Sequence, residues 1–257
     1  MSETSLSKFP VVKLSGKALA DPRALGDLFA SLRNEPAVIV HGGGIEVDAL
    51  YKALSLKVTK KNGLRVSPAS EMPVISAALS GQCNKKVQSI AIKAGLNAIG
   101  LLCSDGGMLT VTQADPELGM VGVPHQGKAD FLLSLLSNGI TPVICSLAFD
   151  SQGQMYNINA DDAASELACL LKSPLYYISD VSGVLSKDGA LITDIDSDLA
   201  DRLIADGTIS GGMTVKIKSA LSASERSGQA VYIGSVSDPN LDVAIASRRR
   251  LGTAVSF

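Results

Sequence analysis

Three consecutive glycines, Gly42, Gly43 and Gly44, follow the apolar run 37–40 and His41. Glycine weakens the interior of an element, so three in a row imply that something must approach the backbone closely. Further glycine-bearing segments follow strand-like runs or open helix-like ones: "KLSGK" at 13–17, "SDVSG" at 179–183 and "SGGM" at 210–213. Backbone N–H groups at such turns and at helix N-termini bind anions. Charged residues stand beside these loops. Lys13 ends an apolar run. Lys216 lies in the first turns of a helical pattern, where its charge opposes the dipole and calls for an anion or a buried carboxylate. Asp161 and Asp162 sit at a helix start, either as caps or with one carboxylate holding the lysines. Arg65 follows Asn62-Gly63 and is either a solvated hairpin charge or a fork for a carboxylate.

Other chemistries fit badly. "GVPHQGKA" at 122–129 nearly matches a phosphate-binding P-loop but ends in Ala129 where a Ser or Thr should meet magnesium. The run Gly42, Gly44, Val47 fails the dinucleotide fingerprint at its third glycine. "HGGG" suits an esterase oxyanion loop, yet no G-x-S-x-G occurs and His125 is the only other histidine. Two histidines and four scattered cysteines argue against a catalytic zinc.

The elements that must position these residues alternate between two periods. Val11-Val12 belong to a short strand. Asp21-Pro22 reads as an N-cap and first-turn proline ahead of the helical stripe Leu25, Leu28, Phe29, Leu32. A strand covers 38–40, and Val47, Leu50, Tyr51 and Leu54 form the next stripe. Asn62-Gly63 signals a hairpin. A helical region runs from Ser67-Pro68 to about Gly95. Strands are expected over 98–103, in "MLTVTQ" and over 142–147, with a helix over 129–137 between the last two. A helix starts at Asn159 or Asp161. "LYYISD", "AVYIGS" and "GTAVSF" are strands, the last closing the sheet. Helices over 197–206 and 213–227 stop at Gly207 and Gly228. Unalternating strands separated by amphipathic helices predict a mostly parallel sheet covered on both faces, with ligands beyond the carboxyl ends of its strands.

With 257 residues, 46% of them apolar, the chain can bury a large core in one domain or two joined lobes. A net charge of −2 gives no reason to expect nucleic acid or a charged membrane surface, and Arg248-Arg249-Arg250 reads as a solvated helix end. Cys83, Cys103, Cys145 and Cys169 form no local metal or redox motif, which suits a reduced, cytoplasmic protein. "MSETSLSKFP" lacks the pattern of a secretory signal, and no stretch is long and apolar enough to span a bilayer.

In order and spacing, "VVKLSGK", "VIVHGGGIEVD", "KKNGLRVS", "ALSGQCNKK", "DPELGMVG", "NINADDAA", "ISDVSGVL" and "ISGGMTVKIKSAL" resemble the amino-acid kinase family over nearly the whole chain. The resemblance implies an α/β fold, a three-layer αβα sandwich around a mainly parallel eight-stranded sheet. It implies an N-terminal lobe, 1–173, for the amino-acid substrate and dimerisation, and a C-terminal lobe, 174–257, for ATP. "NGLRV" and "NINAD" favour an N-acetylated substrate over free glutamate or UMP. The implied reaction is phosphoryl transfer from ATP, carried with Mg2+, to the side-chain carboxylate of N-acetyl-L-glutamate, an early step of arginine biosynthesis. By the same similarity Lys13 and Lys216 neutralise the transferring phosphoryl group and Asp161 orients them. Gly16 and Gly44 offer N–H groups to phosphate. Gly43, Gly44, Arg65 and Asn157 hold the substrate. Asp180, Val181, Ser182, Gly183, Val184 and Leu185, with Thr208, Ile209, Ser210 and Gly211, line the nucleotide site. No resident metal is implied. Ser15 departs from a family glycine, and its Cβ restricts φ in the first loop. A first strand near residue 10 leaves no room for an extra N-terminal helix, so the expectation is a homodimer without arginine feedback through such a helix.

Overall fold

The computed structural model describes residues 9–61 and 63–257; the N-terminal reading on 1–8 and the Asn62 half of the hairpin turn lie outside them. In chain order come β1 (Val11–Leu14), α1 (Pro22–Ser31), β2 (Val38–His41), α2 (Gly44–Ala53), the hairpin β3 (Lys60–Lys61) and β4 (Leu64–Arg65), α3 (Met72–Ser76) and α4 (Asn84–Lys93). Then follow β5 (Asn97–Leu102), β6 (Leu109–Gln113), β7 (Val121–Gln126), α5 (Asp130–Ser137), β8 (Ile140–Cys145), β9 (Leu147–Phe149), β10 (Met155–Ile158) and α6 (Ala160–Leu171). The last part holds β11 (Leu175–Ser179), β12 (Val184–Leu185), β13 (Leu191–Ile192), β14 (Asp194–Ile195), α7 (Ser197–Ala205), α8 (Gly212–Ser227), β15 (Val231–Ser235), α9 (Leu241–Ala246) and β16 (Thr253–Val255).

Among the described residues, the main sheet has eight strands in the order β14-β16-β15-β11-β1-β2-β8-β5. The six from β15 to β5 are parallel, and β16 runs antiparallel to β15. "GTAVSF" therefore supplies an inner strand, with β14 outside it, where the sequence alone places it at the end of the sheet. The central strand β1 explains the layers. Its residues alternate between faces, so Val12 and Leu14 join a core with α1, α4 and α9, while Val11 and Lys13 face α6 and α8. Both faces being covered, the strands are apolar without alternation.

Local signals set the helix ends. The Asp21 carboxylate accepts from the Ala24 N–H at 3.0 Å, with Pro22 at the first position of α1. Gly228 closes α8 with a positive φ. The expected single helical region after Pro68 is interrupted: a π-helical turn over Ala77–Cys83 joins α3 to α4. "MLTVTQ" pairs outside the main sheet, in a four-stranded sheet ordered β6-β7-β10-β9. The near P-loop "GVPHQGKA" is largely strand β7 of that sheet, which settles its structural role.

Candidate active site

The parallel strands β1, β2 and β11 end at one edge, so "KLSGK", "HGGG" and "SDVSG" emerge together. A cleft of about 240 Å³, sized for a small molecule, opens there. Lys13, Gly42, Gly43, Gly44, Arg65 and Asn157 all line it. Five of these six are residues to which the family resemblance gives a catalytic or substrate role, and they come from four separate elements and a loop.

Lys13 is 9% exposed, and its Nζ lies 2.6 Å from Oδ1 of Asp161. Among the described residues that oxygen accepts no other hydrogen bond, so the ammonium alone compensates its burial. Asp161 stands in the first turn of α6 because Asn159 caps the helix, its side chain accepting from the Asp161 N–H at 2.8 Å. Of the two starts open in the sequence, the structure takes Asn159. Lys216 is half-buried, and its Nζ lies 5.9 Å from the centre of the Tyr177 ring. Burial pushes its pKa down, Asp161 and Asp180 oppose this, and Lys13 adds to it. Asp161 thus pairs directly with Lys13, while among the described residues Lys216 has no carboxylate at ion-pair distance. A half-buried cation between another cation and distant anions is a receptor for further negative charge.

Arg65 reaches the cleft from the end of β4. Its side chain is 9% exposed, with Nη2 on the Asp48 carboxylate and 3.3 Å from the Gly44 carbonyl, and the fork lies 5.3 Å from the centre of the Tyr51 ring. Nη1 is buried and has no partner among the described residues. A buried guanidinium at the wall of a cleft, with one donor unpartnered among the described residues, is no solvated hairpin charge, so of the two readings of Arg65 the fork is the one its surroundings favour. Asn157 donates to the Ser67 Oγ at 3.1 Å, and Ser67 in turn ties the hairpin to the small sheet through backbone bonds with Leu118 and Met120.

Gly43 and Gly44 have different reasons to be glycine. A Cβ on Gly43 would sit 2.6 Å from Leu79 Cδ2 and 3.3 Å from Cys83 Cβ, in the π-turn segment. A Cβ on Gly44 would meet nothing within 4 Å and would project into open space. Neither N–H finds an acceptor among the described residues. Ser15 is not among the residues with positive φ, so its Cβ brings no strain, and its Oγ accepts from the Ala18 N–H at 3.2 Å.

The residues expected at the nucleotide follow β11 and precede α8. Asp180, exposed, pairs with Lys17 at 2.6 Å and contributes to the field at Lys216. Gly16 lies in the turn before Lys17, against Ile45. Val181 and Ser182 lead into Gly183, which is packed under Thr253 and Leu191. Val184 is 3% exposed and donates its N–H to Thr253 Oγ1 at 2.8 Å, whereas Leu185 is exposed. The Thr208 N–H is held by Asp206, Ile209 is a core residue, and Ser210 and Gly211 are exposed at the entry to α8. The side chains of Val184 and Ile209 therefore pack inward, leaving only their backbone to a ligand.

Several polar groups that support the site carry no mark in sequence. The Tyr177 hydroxyl donates to the Asp161 carbonyl at 3.2 Å and lies 2.9 Å from Ser165 Oγ and 3.3 Å from Ser219 Oγ, so one buried phenol ties β11, α6 and α8 together. Burial drives its pKa up. His41, fully buried, touches Gly42, Cys83 and Asn84. Its position at the end of an apolar strand in a chain of two histidines was the one available signal.

The family model described as "Amino acid kinase family" matches residues 8–235. The acetylglutamate kinase of Vibrio cholerae is 42% identical over 259 aligned residues, covering 98% of this chain and 98% of that protein. That of Serratia proteamaculans is 46% identical over 231, covering 88% and 90%. A Streptococcus mutans crystal structure superposes with a TM-score of 0.83 at 28% identity, covering 97% of this chain and 99% of that one. Giardia lamblia carbamate kinase bound to AMP-PNP shares the fold, with a TM-score of 0.71 at 16% identity over 97% and 98% of the two chains. Identity at this level, sustained along nearly the whole chain, is what descent within one family produces: the chain belongs to the amino acid kinase family.

Proposed function

We propose that this chain transfers the γ-phosphoryl group of MgATP to the side-chain carboxylate of N-acetyl-L-glutamate, giving N-acetyl-L-glutamyl 5-phosphate and ADP, an early step of arginine biosynthesis. One observation carries the substrate assignment: a small cleft is lined by Lys13, by Arg65, whose buried Nη1 has no partner among the described residues, by Gly43 and Gly44, whose N–H groups find no acceptor there, and by Asn157. A dicarboxylic acyl amino acid matches that donor set. Arg65 takes the α-carboxylate, Asn157 the acetamido group, and the glycine amides the carboxylate that reacts. The name shared by the Vibrio cholerae and Serratia proteamaculans relatives supports the same acceptor.

The acceptor carboxylate is already ionised at neutral pH, so no general base is required. Its oxygen attacks phosphorus in line, the bond to the bridging oxygen breaks, and ADP leaves with that electron pair. Catalysis is then alignment and charge neutralisation. Lys13, fixed by Asp161, and Lys216, short of anions, meet the charge on the transferring group. Preorganised donors of this kind are worth about 10²–10³ in rate each. Magnesium enters with ATP, on phosphate oxygens and water. ATP lies along residues 174–257 and the acceptor along 1–173, with closure of the lobes excluding water. The working unit is a homodimer. The reaction belongs in the cytoplasm, which suits four buried free cysteines, and no helix among the described residues is long and apolar enough to cross a membrane.

The test is hydroxylamine trapping of the acyl phosphate, with N-acetyl-L-glutamate, L-glutamate or no acceptor present. Hydroxamate is expected only with the acetylated substrate, and Lys216→Ala should abolish it. Hydroxamate with free glutamate instead would reassign the chain to a sister kinase. ATP binding without turnover would make it a sensor.

A further inference from the structure

Beneath the glycine loop is a buried polar chain that the proposed reaction does not use. Asn84, 2% exposed at the start of α4, donates one N–H to the Val143 carbonyl at 2.8 Å on β8. That bond orients the amide, since a flipped side chain would set carbonyl against carbonyl. The same nitrogen lies 3.0 Å from Nε2 of His41, so it donates there too, and Nε2 must be the bare acceptor. The imidazole proton is therefore on Nδ1, 2.6 Å from the Gly42 carbonyl, to which it donates. The Cys83 thiol, 3.4 Å from the same oxygen, adds a second, weaker donor. Burial pushes that thiol up to about 12, which keeps its proton in place.

A trans peptide is planar, with its C=O and the following N–H antiparallel. The Gly42–Gly43 bond is trans, since the described chain contains no cis bond. Holding the Gly42 oxygen on the core side thus turns the Gly43 N–H to the opposite side. Gly43 lines the cleft, and its N–H has no acceptor among the described residues. We propose that His41 is a positioning residue which, with its tautomer set by Asn84, aims the Gly43 N–H at the acceptor carboxylate. The proposal rests on the reading of this cleft as the acceptor site. His41 touches no substrate. It works through one peptide plane, so it acts on the acceptor and leaves ATP alone.

The experiment has a substrate-free arm and a kinetic arm. In ¹⁵N-histidine-labelled protein at neutral pH, His41 should show protonated Nδ1 and bare Nε2. The Gly43 amide resonance should move in Asn84→Ala, which leaves the imidazole in place but frees its tautomer. An Nε2–H tautomer, an imidazolium, or an unmoved Gly43 resonance would overturn the proposal. In the kinetic arm, His41→Leu should lower kcat/KM for N-acetyl-L-glutamate by about 10²–10³, with KM for MgATP unchanged. His41→Asn, whose amide nitrogen stands where Nδ1 stood, should restore most of that loss. A folded His41→Leu with normal kcat/KM, or equal rises in both KM values, would also overturn it. Should His41→Leu fail to fold, Asn84→Ala carries the kinetic arm with a smaller loss in the same parameter. Wild-type failure to use N-acetyl-L-glutamate would sink the substrate assignment alone, because the tautomer and the Gly43 shift are read without substrate.

Discussion

Arg65 shows how much a single residue type decides. Its fork is committed on one side to Asp48 and the Gly44 carbonyl and has, on the other, a buried Nη1 with no partner among the described residues, all within a side chain that is 9% exposed. Lysine keeps the charge but not the fork, and its three donors cannot serve Asp48 and a carboxylate in one plane. A lost charge-assisted hydrogen bond costs about 1.5–3 kcal/mol, so Arg65→Lys should raise KM for N-acetyl-L-glutamate roughly tenfold to a hundredfold. KM for MgATP should stay put, and initial rates against each substrate in turn make the check. A rise in both would show that Arg65 supports the fold rather than the acceptor. Lys13 and Lys216 stood out in sequence because a charge ending an apolar strand, or a cation in the first turns of a helix, is out of keeping with its neighbours, whereas Asp161 and Arg65 each also had an ordinary reading as a cap and a hairpin charge. Tyr177 was not legible, since an aromatic in a strand looks like core. Only the fold brings its hydroxyl to Asp161, Ser165 and Ser219.

At the scale of elements, the strand–loop–helix unit formed by β2, the glycines and α2 uses adjacent glycines for different ends. Gly43 has an extended φ of 168°, open to any residue, so its constraint is space: the π turn presses Leu79 and Cys83 against it. Gly43→Ala should overpack this contact and cost about 1–3 kcal/mol in urea unfolding. Gly44 has nothing within 4 Å of a built Cβ and stands at the first position of α2. Gly44→Ala should leave stability within about 0.5 kcal/mol while obstructing the cleft and raising KM for the acceptor. Equal stability losses in the two variants would show that both glycines serve packing alone. The glycine run announced a close approach in sequence, but not which glycine packs against protein and which faces open space. That division depends on the π turn over Ala77–Cys83, whose sequence "AALSGQC" reads as ordinary helix. The small sheet was hidden for a related reason. Its strands β9 and β10 are short, and β10 is parallel to β7 but antiparallel to β9, so pairing depends on distant segments rather than local period.

For the whole molecule, the alternation of strand and helix periods was enough to predict a parallel sheet covered on both faces, because burial on both faces removes polar alternation from every strand alike. The antiparallel insertion of β16 between β15 and β14 left no such trace. Global stability also carries a signature of the buried site. Burial of His41, with Lys13 on β1 adding to it and the bond to the Gly42 carbonyl opposing it, lowers its pKa from 6.5 to about 4. Below pH 6.5 the unfolded chain takes up a proton that the folded chain refuses, so stability falls as pH drops from 6.5 toward 4. The full loss is on the order of 3 kcal/mol. Asp162 works the other way. Burial first, then Asp161 and Glu166, raise its pKa from 3.8 to about 6, so the fold binds the extra proton and gains stability as pH falls through that range. The carboxyl of Asp162 is only partly sheltered, since the residue as a whole is exposed and solvent screens its neighbours, while His41 is fully buried. The histidine should therefore win, and wild-type stability in urea should decline between pH 6.5 and 4. Asp162→Asn should steepen that decline by removing the carboxyl that opposes it. His41→Asn should flatten it, because the largest proton uptake on unfolding is then gone. A wild type and a His41→Asn variant with the same slope would mean that folded His41 takes up a proton as readily as the unfolded chain does, so that burial does not keep Nε2 bare below pH 6.5.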